Sequence, residues 1–420
     1  MISAPSYLEA LFQRMGGGMK FGLERTEKFM DYLGHPYREF SAVHVAGSNG
    51  KGSVTAVLAE IFRAHGESTG RFTSPHLLHF NERMRMNGDM IPEETVRRYL
   101  QVWDEYMQRS EISFFEISTG MAFRWFADMK AETAVIETGL GGRLDSTNVL
   151  DPALSVITRI AKDHTGILGA TLKKIAAEKA GIIKQGRPVI CCPQGRGVMQ
   201  VLRDRAEEQK APFYVSPSLK QVRDLEYRDH EMIFTTRFDG MRYRSRLIGE
   251  HQLENILLAL TAAELKLGKK YDRELAAGAL AEVQWAGRFE RVSRDPLVIY
   301  DAGHNLNGAV KTLETLKTVY PAYRIRCVLG LLGDKDLVKI HRLFREQGAQ
   351  ILMCPVESHR SPTVGELQKM AADSREVCGR ADEALELQLG SMDRAKDLLL
   401  VFGSHHLAEA VYRRFPSDRV

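Results

Sequence analysis

No stretch of the 420-residue chain runs for about 18 apolar residues without a break, which excludes a membrane-spanning helix by length alone. Cysteine is scarce. Cys191, Cys192, Cys327, Cys354 and Cys378 form an odd set without a C-x-x-C pair or the spacing of a metal site. A disulfide framework is therefore not expected, and the thiols read as buried and reduced. Charge of one sign is lacking as well. Lys and Arg total 58 against 54 for Asp and Glu, and the basic residues are scattered rather than striped. That removes the electrostatic footprint of a nucleic-acid binder and leaves room for a small acidic ligand. Glycine and proline follow no period and the apolar share is an ordinary 44%, so collagen-like and disordered chains are excluded. Residues 1–18 have no charged head followed by an apolar run. A secretory leader is not expected there, and the cytoplasm is the expected compartment.

What is present is alternation. Short β-rich apolar runs trade places with amphipathic helical stretches, the pattern of parallel α/β layers. Ser41–Ala46 reads as a buried strand, and 52–64 as a helix with Val54, Val57, Leu58, Ile61 and Phe62 on one face. Helices are expected over 92–108, 115–129, 171–180 and 198–209, with strands at 134–136, 154–160 and 188–191. From 221 to 248 charged and apolar residues alternate at period two, and Asp239-Gly240 offers a tight hairpin turn, so an antiparallel appendage is expected. Helices near 252–266 and 272–283 follow. A second α/β series has strands at 297–300, 325–331, 350–353 and 398–402, and Thr363 with Glu366 fits a capping box. The arginine-rich stretch 287–296 reads as the connection. The expected fold is α/β: a P-loop-type, mostly parallel sheet over 1–286 with a small antiparallel appendage, then a smaller Rossmann-like domain over 297–420.

Three local patterns carry chemistry. Val43-His-Val-Ala-Gly-Ser-Asn-Gly-Lys-Gly-Ser53 sits between an expected strand and an expected helix, where backbone N–H groups and the helix N-terminus converge on an anion. It departs from G-x-x-x-x-G-K-[ST] because Gly52 stands between Lys51 and Ser53. Glu137-Thr-Gly-Leu-Gly-Gly-Arg-Leu-Asp-Ser-Thr-Asn148 places a carboxylate at the end of a strand beside a glycine turn, a fit for Mg²⁺ near a nucleotide. Asp301-Ala-Gly-His-Asn305 lies in the same strand-to-helix position of the second series. Asp163-His164 reads by itself as a surface or capping pair. Glu178-Lys179 at a helix end reads as a solvated charge pair with a glycine cap.

Taken together, these pieces resemble the folylpolyglutamate synthase and dihydrofolate synthase family, within the Mur ligase group. The matching segments, in order, are AGSNGKGS at 46–53, SPHL at 74–77, NER at 81–83, FE at 115–116, ETGLGGRLDSTN at 137–148 and DHTGILG at 163–169. EKAGIIK at 178–184, HQLEN at 251–255, WAGR at 285–288, DAGHN at 301–305 and Gly403-Ser404 complete the series. Ser48 stands where the family usually has threonine, which leaves the loop backbone unaffected.

The resemblance implies ATP-dependent amide ligation through an acyl phosphate, with ATP, L-glutamate and dihydropteroate or reduced folates as partners. It also implies two Mg²⁺ ions and leaves a monovalent-cation requirement open. Carried over by motif, Asn49, Gly50, Lys51, Gly52 and Ser53 cradle the phosphates. Asn255, Arg288, Asp301 and His304 contact the nucleotide, and Ser53, Ser74, Glu137 and His164 bind metal. Lys179 matches a lysine that CO₂ can carbamylate, and with Lys51 and His164 it forms the implied catalytic set. Ser113, Phe114, Phe115 and Glu116, with Leu144, Asp145 and Ser146, match the dihydropteroate region, although core packing accounts equally for the two phenylalanines. A monofunctional folylpolyglutamate synthase and a nucleotide-gated switch are the alternatives. A cell-wall Mur ligase fits less well, since only about 40 residues precede the loop, too few for a nucleotide-sugar domain. A monomer is expected, without nucleic-acid or membrane partners.

Overall fold

The computed structural model describes residues 8, 11, 12, 22–333, 336–371 and 373–416. Apart from Leu8, Leu11 and Phe12, the stretch weighed for a leader lies outside the described residues. Among the described residues no helix is long and apolar enough to cross a membrane. All five cysteines are free and buried.

Contacts divide the chain into two units. The first takes Met1–Leu225, Phe234–Ser245 and Gln252–Val283; the second takes Glu226–Ile233, Arg246–His251 and Gln284–Val420. The first unit is built on eight strands: β1 Ser41–Ala46, β2 Thr69–Phe72, β3 Met84–Met86, β4 Asp89–Met90, β5 Thr133–Glu137, β6 Leu154–Ile157, β7 Val189–Cys191 and β8 Phe213–Val215. Their order is β4-β3-β2-β5-β1-β6-β7-β8. Every pair from β2 to β8 is parallel, and only the two edge pairs, β2 with β3 and β3 with β4, are antiparallel. β1 is central and buried from Ala42 to Ala46, as a parallel strand covered on both faces must be. Its register sets Val45 beside Glu137 and Ala46 beside Ile157, so the C-terminal ends of β5, β1 and β6 open at one level. Loops leaving those ends are where an open α/β sheet binds ligands.

A three-stranded sheet, in order β11-β10-β9, is formed by β9 Val222–Arg228, β10 Glu231–Thr236 and β11 Arg242–Ser245. The tight turn of this appendage is not the expected one. Asp239-Gly240 lies in a five-residue loop, where the Asp239 carboxylate accepts from the Met241 N–H. The two-residue turn is Asp229-His230, both with positive φ (44° and 61°). Such a turn matches strand twist and usually advertises itself by Asn-Gly or Asp-Gly. Here the side chains hold it instead: Asp229 pairs with Arg291 at 3.0 Å, and His230 bonds Tyr320 Oη at 2.8 Å.

The second unit carries a mixed five-stranded sheet: β12 Glu290–Ser293, β13 Val298–Asp301, β14 Arg324–Leu329, β15 Gln350–Met353 and β16 Asp397–Phe402, in order β12-β13-β16-β14-β15. Four strands are parallel and β12 runs antiparallel at the edge. Part of the stretch expected as a connection is thus an edge strand, a reading its arginines disguised. The Thr363–Glu366 capping box is present.

Two further expectations change. The helix expected over 92–108 breaks into Glu93–Val102 and Asp104–Arg109. Trp103, at the break, is buried by stacking on Tyr99 at 5.0 Å and meeting Phe29 edge-on at 5.4 Å. The strand expected over 154–160 stops at Ile157, because Thr158 and Arg159 turn to hold the loop after β1 and Ile160 turns its N–H to Gln194. Strands β2, β3, β4 and β8 and helix Glu24–Leu33 were not anticipated. All four strands are only two to four residues long, too brief to leave a period-two signal.

Candidate active site

β1 ends at Ala46, and the chain enters helix Lys51–Ala64 through Gly47-Ser48-Asn49-Gly50. The loop is pinned by neighbouring elements. Ser48 and Asn49 donate their N–H groups to the Arg159 carbonyl (2.9 and 3.2 Å), and Ser48 Oγ donates to Ala161 O at 2.9 Å. Thr158 Oγ1 donates to Asn49 O at 2.7 Å, and Lys179 Nζ to Gly47 O at 2.7 Å. Gly50 caps the helix at φ +88°, and a Cβ there would come within 2.2 Å of Asn255 Oδ1. Only glycine serves both needs. The N–H groups of Lys51, Gly52 and Ser53 fall in the first helical turn, beyond the reach of any intrahelical carbonyl, at the positive end of the helix dipole. Asn255 is buried, with its amide on Gln252 Oε1 at 3.0 Å.

Glu137 closes β5 and is 4% exposed. Its Oε2 accepts the Ser74 N–H at 3.2 Å, and its Oε1 lies 3.8 Å from Lys51 Nζ. Lys51, Glu137 and Ser74 therefore meet, with the loop carrying Ser53. Lys179 joins from helix Leu172–Ala180 and is buried rather than solvated, so the reading of it as an exposed helical charge fails. Burial, then the Lys51 cation, push its pKa down to about 7, against the pull of Asp163, Asp145 and Glu178. The charge pair expected of Glu178 is made with Arg143 instead, at 2.8 Å. His164, at φ +49°, caps the short helix Thr165–Leu168. Its N–H donates to Asp163 Oδ1 at 2.9 Å.

The expected acceptor residues divide. Ser113 and Glu116 form a capping box on helix Phe114–Asp128, Ser113 N donating to Glu116 Oε2 at 2.7 Å. The same carboxylate pairs with Arg25 at 3.1 Å, so the fold consumes Glu116. Phe114 is buried against Phe80, while Phe115 is half-buried beside Phe72. A Cβ on Gly139 would sit 2.4 Å from the Phe115 ring. Leu144 and Ser146 flank Asp145, whose buried carboxylate accepts from Leu140 N (2.7 Å) and Thr147 N (3.0 Å), although burial raises its pKa. Thr147 Oγ1 also donates to Asp145, so it accepts from His44 Nε2 at 2.8 Å, which assigns the His44 proton to Nε2. Burial, helped by the nearby Lys184 charge, holds His44 neutral with a pKa of about 3. Sequence reasoning passed over His44 because alternation inside a buried strand marks no function.

In the second unit, Asp301 closes β13, and Asp301–Asn305 leads into helix Leu306–Val319. Asp301 is buried, accepting from Gly303 N at 2.8 Å and Thr312 Oγ1 at 2.7 Å. Burial raises its pKa, while the Arg288 charge opposes that shift first and His304 last. The Asn305 side chain caps the helix through Gly308 N.

Comparison with known proteins fits this geometry. The Mur ligase middle domain model matches residues 45–263, and the model described as Mur ligase, glutamate ligase domain matches 287–405. A Bacillus subtilis (strain 168) dihydrofolate synthase/folylpolyglutamate synthase is 34% identical across 96% of both chains. A Mycobacterium tuberculosis folylpolyglutamate synthase structure, complexed with ADP and AMPPCP, superposes with a TM-score of 0.88 at 30% identity, covering 98% of this chain and 99% of that one. An E. coli FolC structure in complex with DHPP and ADP gives 0.86 at 26% identity, covering 100% and 99%.

Proposed function

The chain belongs to the folylpolyglutamate synthase/dihydrofolate synthase family of Mur ligases, and from that premise we propose that it adds L-glutamate both to dihydropteroate and to reduced folates. It is an ATP-dependent glutamate ligase. The observation that carries the reading is the convergence of Ser74, Glu137, the 47–53 loop and Asp163-His164 on the C-terminal ends of the adjacent strands β2, β5, β1 and β6. The bifunctional form is supported by the relative that bears both activity names and matches over nearly its whole length.

In this reading an acceptor carboxylate oxygen attacks the γ-phosphorus of ATP, ADP departs, and an acyl phosphate forms. The glutamate amine then attacks the acyl carbon, loses a proton and expels phosphate. The N–H groups of Asn49 to Ser53 hold the phosphate chain, and Lys51 stabilises charge building on the transferred group. Asn255 serves the adenine side. For the second unit we infer nucleotide contacts at Arg288, Asp301 and His304, supported by Asp301 closing β13, His304 following it and the Arg288 charge acting on Asp301. Leu144, Asp145 and Ser146 shape the pterin region, with Asp145 held rigid by Thr147 and His44.

Among the described residues no three His, Cys, Asp or Glu side chains cluster as a metal cage. The inferred donors, Ser53, Ser74 and Glu137 for one Mg²⁺ and Glu137 with His164 for a second, still fit. Mg²⁺ commonly takes one or two carboxylates and completes its shell from substrate phosphates and water. When bound, the ions neutralise phosphoryl charge during transfer. We infer that the enzyme works in the cytoplasm as a monomer.

Purified protein should release phosphate from ATP only when both L-glutamate and an acceptor are present, with either dihydropteroate or tetrahydrofolate serving. Silence with both acceptors sinks the assignment, and response to tetrahydrofolate alone reduces it to the monofunctional form. Glu137→Gln keeps the packing of a buried side chain but removes its charge. The Mg²⁺ concentration for half-maximal rate should rise about tenfold or more in that variant. An unchanged Mg²⁺ titration curve would count against Glu137 as a ligand.

A further inference from the structure

Two residues of Asn81-Glu82-Arg83 are consumed by the fold. Asn81 Nδ2 donates to the Ile91 carbonyl at 2.5 Å. The Glu82 carboxylate gathers the N–H groups of Leu77, Leu78 and His79 at 2.8, 3.0 and 2.9 Å, shaping the turn that follows Ser74. Arg83 is different. It is only 5% exposed, yet its one side-chain hydrogen bond to a described residue is from Nε to His76 Nδ1 at 2.8 Å. Its Cζ lies 5.1 Å from the centroid of the Phe114 ring, which in turn meets Phe80 edge-on at 5.9 Å. Among the described residues no carboxylate is within ion-pair reach of the guanidinium, and its two terminal nitrogens donate to no protein group.

A buried cation without a counter-ion is among the most expensive arrangements in a protein, and structural arginines are normally paired. Burial lowers the Arg83 pKa to about 10, with Glu137 and then Glu82 opposing the shift from a distance. It is therefore still charged at neutral pH. Among the described residues, then, a positive fork lies against an aromatic face with no anion within reach.

We propose that Arg83 anchors the aryl carboxylate of the acceptor, the guanidinium fork taking the carboxylate oxygens and the Phe114 ring lying along the aromatic ring that bears them. The proposal rests on the reading of dihydropteroate as acceptor. A planar carboxylate on a planar ring matches a planar donor fork beside a phenyl face, a pairing lysine cannot reproduce. In folates the aryl carboxylate is already an amide, so Arg83 distinguishes the first acceptor from the second.

The test is equilibrium binding of two probes, pteroate and its carboxamide, to the full-length protein saturated with ADP. Wild type should bind pteroate about tenfold or more tightly than the carboxamide. Arg83→Met should abolish that preference while binding the carboxamide as wild type does, and Arg83→Lys should keep part of it. A preference that survives in Arg83→Met overturns the proposal. So does equal weakening of both probes, the outcome of a merely structural role, or a variant whose melting curve shows that it has not folded while Arg83→Lys folds and discriminates fully. Wild-type protein that binds neither probe overturns the dihydropteroate reading itself, a failure visible before any variant is compared.

Discussion

Lys51→Met will lower kcat by about a hundredfold to a thousandfold while leaving the fold intact, the scale seen when one donor to a developing transition-state charge is removed. Lys51 opens helix Lys51–Ala64, directly after the positive-φ Gly50 that aims the first turn. Its side chain is 17% exposed, and its ammonium lies 3.8 Å from the Glu137 carboxylate. That separation makes a loose ion pair, and the Glu137 carboxylate keeps the Ser74 N–H when the ammonium is lost. The charge is more valuable to phosphoryl transfer, where several anionic oxygens crowd into a space the protein keeps partly dry. Lys51→Arg should not restore the rate, because a longer planar fork cannot fit among glycines built for a compact ammonium. Steady-state kinetics with a melting curve for each variant decide the matter. A kcat within about threefold of wild type removes Lys51 from the transfer step.

Why Lys51 and Glu137 could be located from sequence is a matter of spacing. Both follow short apolar runs, and a parallel strand buried on both faces leaves that signal without competition. Glycines after each run then mark the close approach of backbone to backbone. Lys179 and Arg83 were harder. Glu178-Lys179-Ala-Gly has the composition of an ordinary helix end, and nothing local reveals that the side chain turns inward to the Gly47 carbonyl 132 positions away. Arg83 sits in a motif whose other two members are structural, so the motif alone does not say which residue is unspent. Glu116 illustrates the same limit of local pattern: the resemblance assigns it to the acceptor region, and only the structure reveals that its carboxylate is engaged by Ser113 and Arg25. The hairpin at Asp229-His230 escaped notice because its positive-φ residues are held by Arg291 and Tyr320, partners far along the chain. Local patterns found elements whose cause is local, and tertiary partners decided the rest.

Lys179→Met will abolish most turnover without costing stability. A pKa of about 7 means that the amine is half neutral at neutral pH, whereas an exposed lysine would be almost wholly protonated. Only the neutral amine attacks CO₂: the new N–C bond forms, a proton leaves, and a carboxylate-bearing group replaces the cation. We therefore expect activity to rise with pH through about 7 and to fall in CO₂-depleted buffer. The groups facing Lys179 set that window, Lys51 lowering the pKa while Asp163, Asp145 and Glu178 raise it.

The same shift fixes the stability sign. The folded pKa lies below the unfolded one, so the buried ammonium penalises folding in full below about pH 7, and the penalty fades as pH climbs toward 10.5. Lys179→Met removes the penalty and loses one hydrogen bond to Gly47 O, which leaves a melting temperature no lower than wild type at pH 7. Lost activity with retained stability then isolates the chemical role. Small carboxylates such as acetate should restore part of the rate in Lys179→Ala, where the truncated side chain leaves room for them. Wild-type turnover in either variant, or a pH profile and CO₂ response indistinguishable from those of Lys179→Met, removes the carbamate from the mechanism.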